Sequence, residues 1–167
     1  MVELLITIAL LGVVLSVVLA SLGSVTNSEA YQDDRTANLD AMRTTLNQMT
    51  KLLRQGLDVT TGSSATRLDF DTYLSGNPTH ILYTIDATGT QLLETIGAGH
   101  SVIVLRNLVA NPPVPLFCYT DQSAVCGPSG GATTQWVQIA LQVHPMHSPS
   151  TTLELDSQVN LRNRTAA

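Results

Sequence analysis

A run of 22 residues without a charged side chain, residues 4–25, constrains this chain more than any other feature of its sequence. Every residue in the run is aliphatic, glycine, serine or threonine. As an α-helix the run spans about 33 Å at 1.5 Å per residue, which matches the hydrocarbon core of a bilayer. The run therefore predicts a membrane-spanning helix over residues 1–25.

Two other interpretations of this run fit less well. A secretory signal peptide has basic residues before a shorter apolar core. In this chain the residue before the apolar run is acidic, and the run is longer. A buried helix of a soluble protein usually keeps a polar face, which residues 4–25 lack. A membrane anchor remains the best interpretation.

Glu3 stands at the head of the run, and the next charge along the chain is Glu29. A charged residue costs about 2.5–3.5 kcal/mol at the centre of a membrane helix and less near its end, so Glu3 needs compensation. A cation or several donors would supply it, and the N-terminus of a helix also favours an anion. Alternatively, the carboxylate reaches the lipid headgroups.

The segment that follows, residues 26–57, predicts an amphipathic helix. Apolar residues recur there at steps of three and four, which places them on one helical stripe: Leu39, Met42, Leu46, Met49 and Leu53. Gly56 and the sequence TTGSS are expected to end the helix. Thr26 and Glu29 resemble a capping box. Either the helix is interrupted there, or one continuous helix runs from about residue 2 to residue 57.

Beyond residue 65 the apolar period changes to two, which predicts β-strands. The strand-like segments are RLDFDTYL, HILYTID, TQLLETI, SVIVLRNL, QWVQIALQV and TLELDSQVNLRN. SVIVLRNL is expected to be a fully apolar strand in the core, and Asp86–Gly89 is expected to form a longer hairpin loop. VANPPVP and the stretch around the cysteines are expected to be irregular surface connections.

The one-sided alternation of the last two segments predicts an antiparallel sheet with one face in solvent and the other covered by the helical stripe. Residues 58–167 would then form a single globular sheet domain. The predicted fold class is α+β, with a long N-terminal α-helix packed on a C-terminal antiparallel β-sheet.

Cys118 and Cys126 lie eight positions apart in a loop-like stretch. In an oxidising compartment they would form a disulfide, which contributes about 2–3 kcal/mol in the chain-entropy model. Two free thiols are the alternative, because the spacing and the number of ligands do not suit a metal site.

No pattern of residues predicts catalysis, a cofactor or a metal, and no nucleotide-binding or hydrolase motif is present. Asp69 and Asp71 share a strand face and are interpreted as its solvent side. Asn163 begins a glycosylation acceptor pattern near the end of the chain. The four histidines are expected to be solvated turn residues, since none has an acid or cysteine at ligand spacing in its own element: His80, His100, His144 and His147.

Acidic residues outnumber basic ones, 13 to 8, for a net charge of −5. Without a basic cluster, nucleic-acid binding is disfavoured but left undecided.

The N-terminal sequence MVELLITIALLG, followed by an apolar run, an amphipathic helix and a sheet, resembles the type IV pilin and pseudopilin superfamily. Val2, Glu3, Leu4 and Leu5 match the mature N-terminal pattern F-T-L-V-E-L-[ML]-[VI] of that family. KLLRQGL and LELDSQVNLRNR also resemble its minor pilin and pseudopilin group. If the registers agree, Met1 occupies the third mature position, and the first two residues and the leader precede this sequence.

The resemblance implies the pilin fold and a structural, non-enzymatic role in a helical filament of identical subunits. Glu3 would pair with the N-terminal ammonium of a neighbouring subunit, and the helices would pack through Leu4, Leu5, Ile8, Leu11 and Leu15. It further implies processing by a prepilin peptidase, methylation of the N-terminus, and contact with pilus assembly machinery. The chain would be held in the inner membrane before assembly and would form a cell-surface filament afterwards.

Two alternatives accompany this hypothesis. The chain is a minor pseudopilin of a type II secretion or DNA-uptake pseudopilus, or it is a monomeric single-pass membrane protein with a binding domain. One departure from the family concerns the helix. Many members carry a proline near the end of the membrane helix, whereas residues 1–57 contain none, and only Gly12, Gly23 and nearby serines offer a place for local loosening.

Overall fold

This computed structural model describes residues 2–110, 112–121, 126–147 and 150–161. The described residues form an α+β fold, as predicted, with one helix followed by strands. Its elements are α1 (Val2–Arg54), β1 (Gly56–Val59), β2 (Arg67–Leu74), β3 (Asn77–Ile85), β4 (Gln91–Ile96), β5 (Val102–Arg106), β6 (Phe117–Thr120), β7 (Trp136–Val143) and β8 (Leu153–Asn160).

The helix α1 is continuous through the point where a break was one of the two alternatives. The hydroxyl of Thr26 donates to the carbonyl oxygen of Gly23 at 3.1 Å, a bond within the helix rather than a cap. The helix ends at Arg54, three residues before the predicted end, because Gly56 already pairs with Thr72 in the sheet.

The strands form two antiparallel sheets where the sequence predicted one. Strands β1 to β5 lie side by side in chain order, and β6, β7 and β8 form a second, three-stranded sheet. Backbone hydrogen bonds join the second sheet to the segment that follows β5, among them Val109 N–H to the carbonyl of Gln142 at 2.9 Å. Two short strands, β1 and β6, lie where the sequence analysis expected the helix end and an irregular loop, so those two expectations are wrong.

The predicted helical stripe is confirmed as the centre of the core. Met42, Met49 and Leu53 are fully buried, and Leu46 is nearly so. They pack with buried side chains of both sheets, including Leu68, Phe70, Tyr83, Ile139 and Leu141. Burying each large apolar side chain contributes about 1.5–3 kcal/mol, so the domain is held to residues 38–53 of the helix mainly by this stripe.

Strand β5 contributes to the core only in part, whereas SVIVLRNL was predicted to be a fully apolar strand core: Leu105 belongs to the core and Val104 packs against it. The strand is one of the two edge strands of the five-stranded sheet, and Val102 is 61% exposed while Leu105 is buried. An apolar sequence cannot by itself show whether a strand has neighbours on both sides.

The hairpin loop between β3 and β4 is confirmed. The carboxylate of Asp86 accepts the backbone N–H groups of Thr90 and Gln91, each at 2.9 Å. Gly89 has a φ of 77°, a conformation that favours glycine. Five residues, 86–90, therefore connect the two strands.

Candidate functional site

The apolar half of α1 projects from the domain with its surface uncovered. Each described side chain in residues 2–29 is exposed, and Leu11 is 68% exposed. Leu4, Ile8 and Leu15 are exposed as well, whereas the side chain of Leu5 lies outside the described residues. A continuous apolar surface of this size marks a membrane or protein interaction site.

By length and composition, the helix could cross a membrane. Two of its hydroxyl groups bond back to the helix: Thr7 donates to the carbonyl of Leu4 at 2.9 Å, and Ser16 donates to that of Val13 at 2.8 Å. These two hydroxyls therefore need no hydrogen-bond acceptor from lipid or from a neighbouring helix.

Glu3 lies in the first turn of α1, where the helix dipole favours a negative charge. Among the described residues, none forms a hydrogen bond or an ion pair with its carboxylate. Arg35 is the first basic residue along the chain, about 48 Å away at 1.5 Å per residue. A cation for Glu3 must therefore come from outside the described part of the chain or from another molecule.

Asp34 fixes the domain to the helix close to the point where the apolar half leaves it. Its carboxylate accepts the backbone N–H of His147 at 3.0 Å, and the imidazole of His147 lies 3.6 Å away. The amide of Asn38 donates to the other carboxylate oxygen at 2.9 Å. The backbone hydrogen bond from His147 is the main cause that holds the pKa of Asp34 below its ordinary value.

A cluster of charged side chains lies on the outer face of the five-stranded sheet. Asp69 is only 4% exposed, so its interpretation as a solvent-facing residue is wrong. It contacts the guanidinium of Arg67 at 2.9 Å and the Nε2 atom of His80 at 3.0 Å. The Nδ1 atom of His80 lies 2.9 Å from Asp71. His80 is thus held between two carboxylates and is not a free turn residue.

This cluster was not predicted from the sequence, because the acids that contact His80 lie on another strand. Antiparallel pairing of β2 with β3 places Asp71 opposite His80, a register that neither strand shows alone. His100 is exposed, and His144 contacts the carbonyl of Thr151 at 3.3 Å. Within residues 2–110, 112–121, 126–147 and 150–161 no group of three or more acidic, histidine or cysteine residues is arranged to hold a metal ion.

A polar network joins Gln48, an exposed residue of α1, to two buried side chains of the five-stranded sheet, Tyr83 and Glu94. The hydroxyl of Tyr83 donates to the carboxylate of Glu94, and the amide of Gln48 donates to both of its oxygens at 2.8 and 3.1 Å. Burial, with the neighbouring Glu94, raises the pKa of the Tyr83 phenol far above its ordinary value. The phenol therefore remains a donor, and the network fixes the rotation of the helix on the sheet.

Cys118 and Cys126 form the predicted disulfide, with their Cα atoms 5.4 Å apart. Cys118 belongs to β6 and is buried, so this end of the bridge lies in a strand rather than in a loop. The glycosylation pattern at residues 163–165 lies outside the described residues.

No family model, curated protein or solved structure matches this chain. The candidate site is thus described by the geometry of this chain alone. An apolar helix end with an acid at its head continues without a break into a helix that is buried in a two-sheet domain.

Proposed function

We propose that this chain is the structural subunit of a type IV pilus or a pilus-like filament. The carrying observation is that the whole described apolar half of α1 is exposed, although the domain has a complete core of its own. The match of Val2, Glu3 and Leu4 to the pilin N-terminal pattern supports the same proposal. The mechanism is assembly, and we assign the chain no catalytic role.

The apolar half has two environments in this proposal. Before assembly the lipid bilayer surrounds it, and afterwards copies of the same helix do. Leu4, Ile8, Leu11 and Leu15 recur at steps of three and four and are therefore on one face of the helix. We propose that this face, with Leu5 beside it, packs against neighbouring helices. Because lipid is as apolar as leucine, close packing and polar pairing drive the exchange of lipid for protein.

The role of Glu3 distinguishes a filament subunit from an ordinary membrane anchor. A carboxylate among apolar side chains is costly alone and is stabilised by a cation held close to it. In the filament, the N-terminal ammonium of a neighbouring subunit supplies that cation. In a monomeric single-pass protein, the carboxylate reaches the headgroups instead, and nothing about the fold requires an acid there.

The sheet domain forms the outer surface of the filament in this proposal, on the extracellular side. The disulfide between Cys118 and Cys126 supports that side, because such bonds persist in oxidising compartments. A pseudopilus subunit of a secretion or DNA-uptake system has the same architecture. The abundance of the chain in sheared fibres distinguishes the two, since a major subunit dominates them.

The test is electron microscopy of fibres sheared from cells that make the full chain, with mass spectrometry of the N-terminal peptide. Glu3→Val should leave the chain in the membrane fraction and lower fibre yield more than about tenfold, a change of 1.4 kcal/mol. Thr7→Val is the matched control, because it also replaces an exposed polar side chain of the same helix. Equal fibre yields from all three chains would exclude the ion pair, and a wild-type chain found only as a membrane monomer would exclude the filament.

A further inference from the structure

The exposed face of α1 that points away from the core carries separated charges. Its charged residues are spaced by 4, 7, 3, 8 and 3 positions, so they share one face of the helix: Glu29, Asp33, Asp40, Arg43, Lys51 and Arg54. All six are exposed. The acids lie toward the apolar half and the bases toward the far end of the helix.

The two middle charges compensate each other, since Asp40 and Arg43 lie 3.7 Å apart. The charges at the two ends of the face are not paired in this way. Among the described residues, no ion pair involves Glu29 or Asp33 at one end, or Lys51 or Arg54 at the other. The face thus ends in two unpaired acids and two unpaired bases.

A groove of about 690 Å³, the tip groove, adjoins the basic end. It lies between the end of α1, the end of β2 and the end of β4, and Lys51 and Gln55 form its helix side. Tyr73, which is 51% exposed, and the exposed Ile96 line its other side. A groove lined by apolar side chains together with glutamines, a serine and a lysine fits a partner that is acidic and partly apolar.

We infer that the tip groove docks residues 26–35 of a second copy of this chain, displaced along the filament axis so that Glu29 meets Lys51 and Asp33 meets Arg54. This inference rests on the proposed filament function. The expected occupant is a copy of the chain, because residues 26–35 carry acidic side chains, complementary to the bases near the groove, on the same exposed helix face.

One displacement serves both pairs. Lys51 follows Glu29 by 22 residues and Arg54 follows Asp33 by 21, so both pairs need a shift of about 33 Å at 1.5 Å per residue. Without a shift, parallel copies would place acids beside acids and bases beside bases, an arrangement that like-charge repulsion disfavours.

The contact joins two different surfaces, the tip groove of one copy and the juxtamembrane segment of the next. Such a head-to-tail contact does not close on itself and therefore propagates into an open row. The separated charges thus select a staggered packing over one in register.

Charge reversal in the full chain tests the docking, with fibre yield as the readout. Lys51→Glu should lower the yield several-fold, Glu29→Lys should do the same, and the double variant should restore most of it. Arg106→Glu is the matched control, because it reverses an exposed base on β5 outside the tip groove and should leave the yield unchanged. Equal amounts of each variant in the membrane fraction exclude a loss of expression or of membrane insertion as the cause.

Cysteine cross-linking in wild-type-like fibres supplies an independent readout. Glu29→Cys combined with Lys51→Cys should yield ladders of linked chains on oxidation, whereas either substitution alone should yield none. Dimers formed by Glu29→Cys alone would show packing in register and overturn the inference. If Lys51→Glu lowers the yield and Glu29→Lys does not restore it, the groove binds another partner and the inference is wrong. Fibres unaffected by Lys51→Glu overturn the docking alone, whereas an absence of wild-type fibres overturns the filament function with it.

Discussion

The hydroxyl of Tyr83 on β3 donates a hydrogen bond to the carboxylate of its cross-strand partner Glu94 on β4, and both side chains are buried beneath α1. Gln48 of the helix completes the site by donating to both carboxylate oxygens. A buried acceptor that loses a donor keeps its desolvation cost, so such a network is sensitive to small changes.

Tyr83→Phe should lower the free energy of unfolding by about 1–3 kcal/mol, because it removes one donor to Glu94 and keeps the ring. Chemical denaturation of the full chain in detergent measures this. Tyr73→Phe is the control, since that side chain is half exposed, and it should change stability by less than about 0.5 kcal/mol. Equal losses in both variants would show that the Tyr83 hydroxyl contributes nothing specific.

The stability of the domain should fall as the pH rises above about 10, the ordinary pKa of tyrosine. Burial raises the pKa of both Tyr83 and Tyr119, so the folded chain keeps protons that the unfolded chain releases. Stability from these groups is complete below the unfolded value and is lost as the pH rises toward the folded value. Unfolding midpoints between pH 8 and pH 11 measure the slope, and Tyr83→Phe should reduce it.

Asp34 should give the domain an acid dependence of the opposite sign. Its pKa is lowered in the fold, chiefly by the backbone N–H of His147, so its contribution is present above the unfolded value of about 3.9 and is lost as the pH falls through the folded one. Asp34→Asn should lower thermal stability at pH 7 and flatten its decline below about pH 5. Asp33→Asn, at an exposed neighbouring position, should do neither.

Replacing both Cys118 and Cys126 with serine should cost about 2–3 kcal/mol of stability, the chain-entropy estimate for so short a closed loop. A reducing agent should destabilise the wild-type chain by a similar amount and leave the double variant unchanged. Destabilisation of both by the reductant would show that its effect does not act through this bond.

Features with a local cause were predictable from the sequence. The stripe that contains Met42, Met49 and Leu53 follows from the helical period, and the faces of β7 and β8 follow from alternation, since both patterns lie within one segment. The pairing of the cysteines followed from their number and spacing.

Features that depend on register or neighbours were not predictable in the same way. Asp69 and Asp71 meet His80 only because β2 and β3 pair as they do, and among the described residues no strand pairs with the outer side of β5. Four-residue strands such as β1 and β6 are too short to show a period and are defined by their partners. The exposed apolar half of α1 was predictable from composition, whereas what covers it depends on molecules beyond the chain.

Met49 and Leu11 lie on the same helix and should respond differently to truncation. Met49 is fully buried, so Met49→Ala should cost about 2–5 kcal/mol of domain stability by removing core contacts and leaving a cavity. Leu11 is 68% exposed, so Leu11→Ala should change that stability by less than about 0.5 kcal/mol. In a filament, however, Leu11 is buried between helices, and its truncation should lower fibre yield although the domain remains intact. Denaturation in detergent combined with fibre yield measures both, and a Leu11→Ala chain that assembles like the wild type would remove this face of the helix from the filament core.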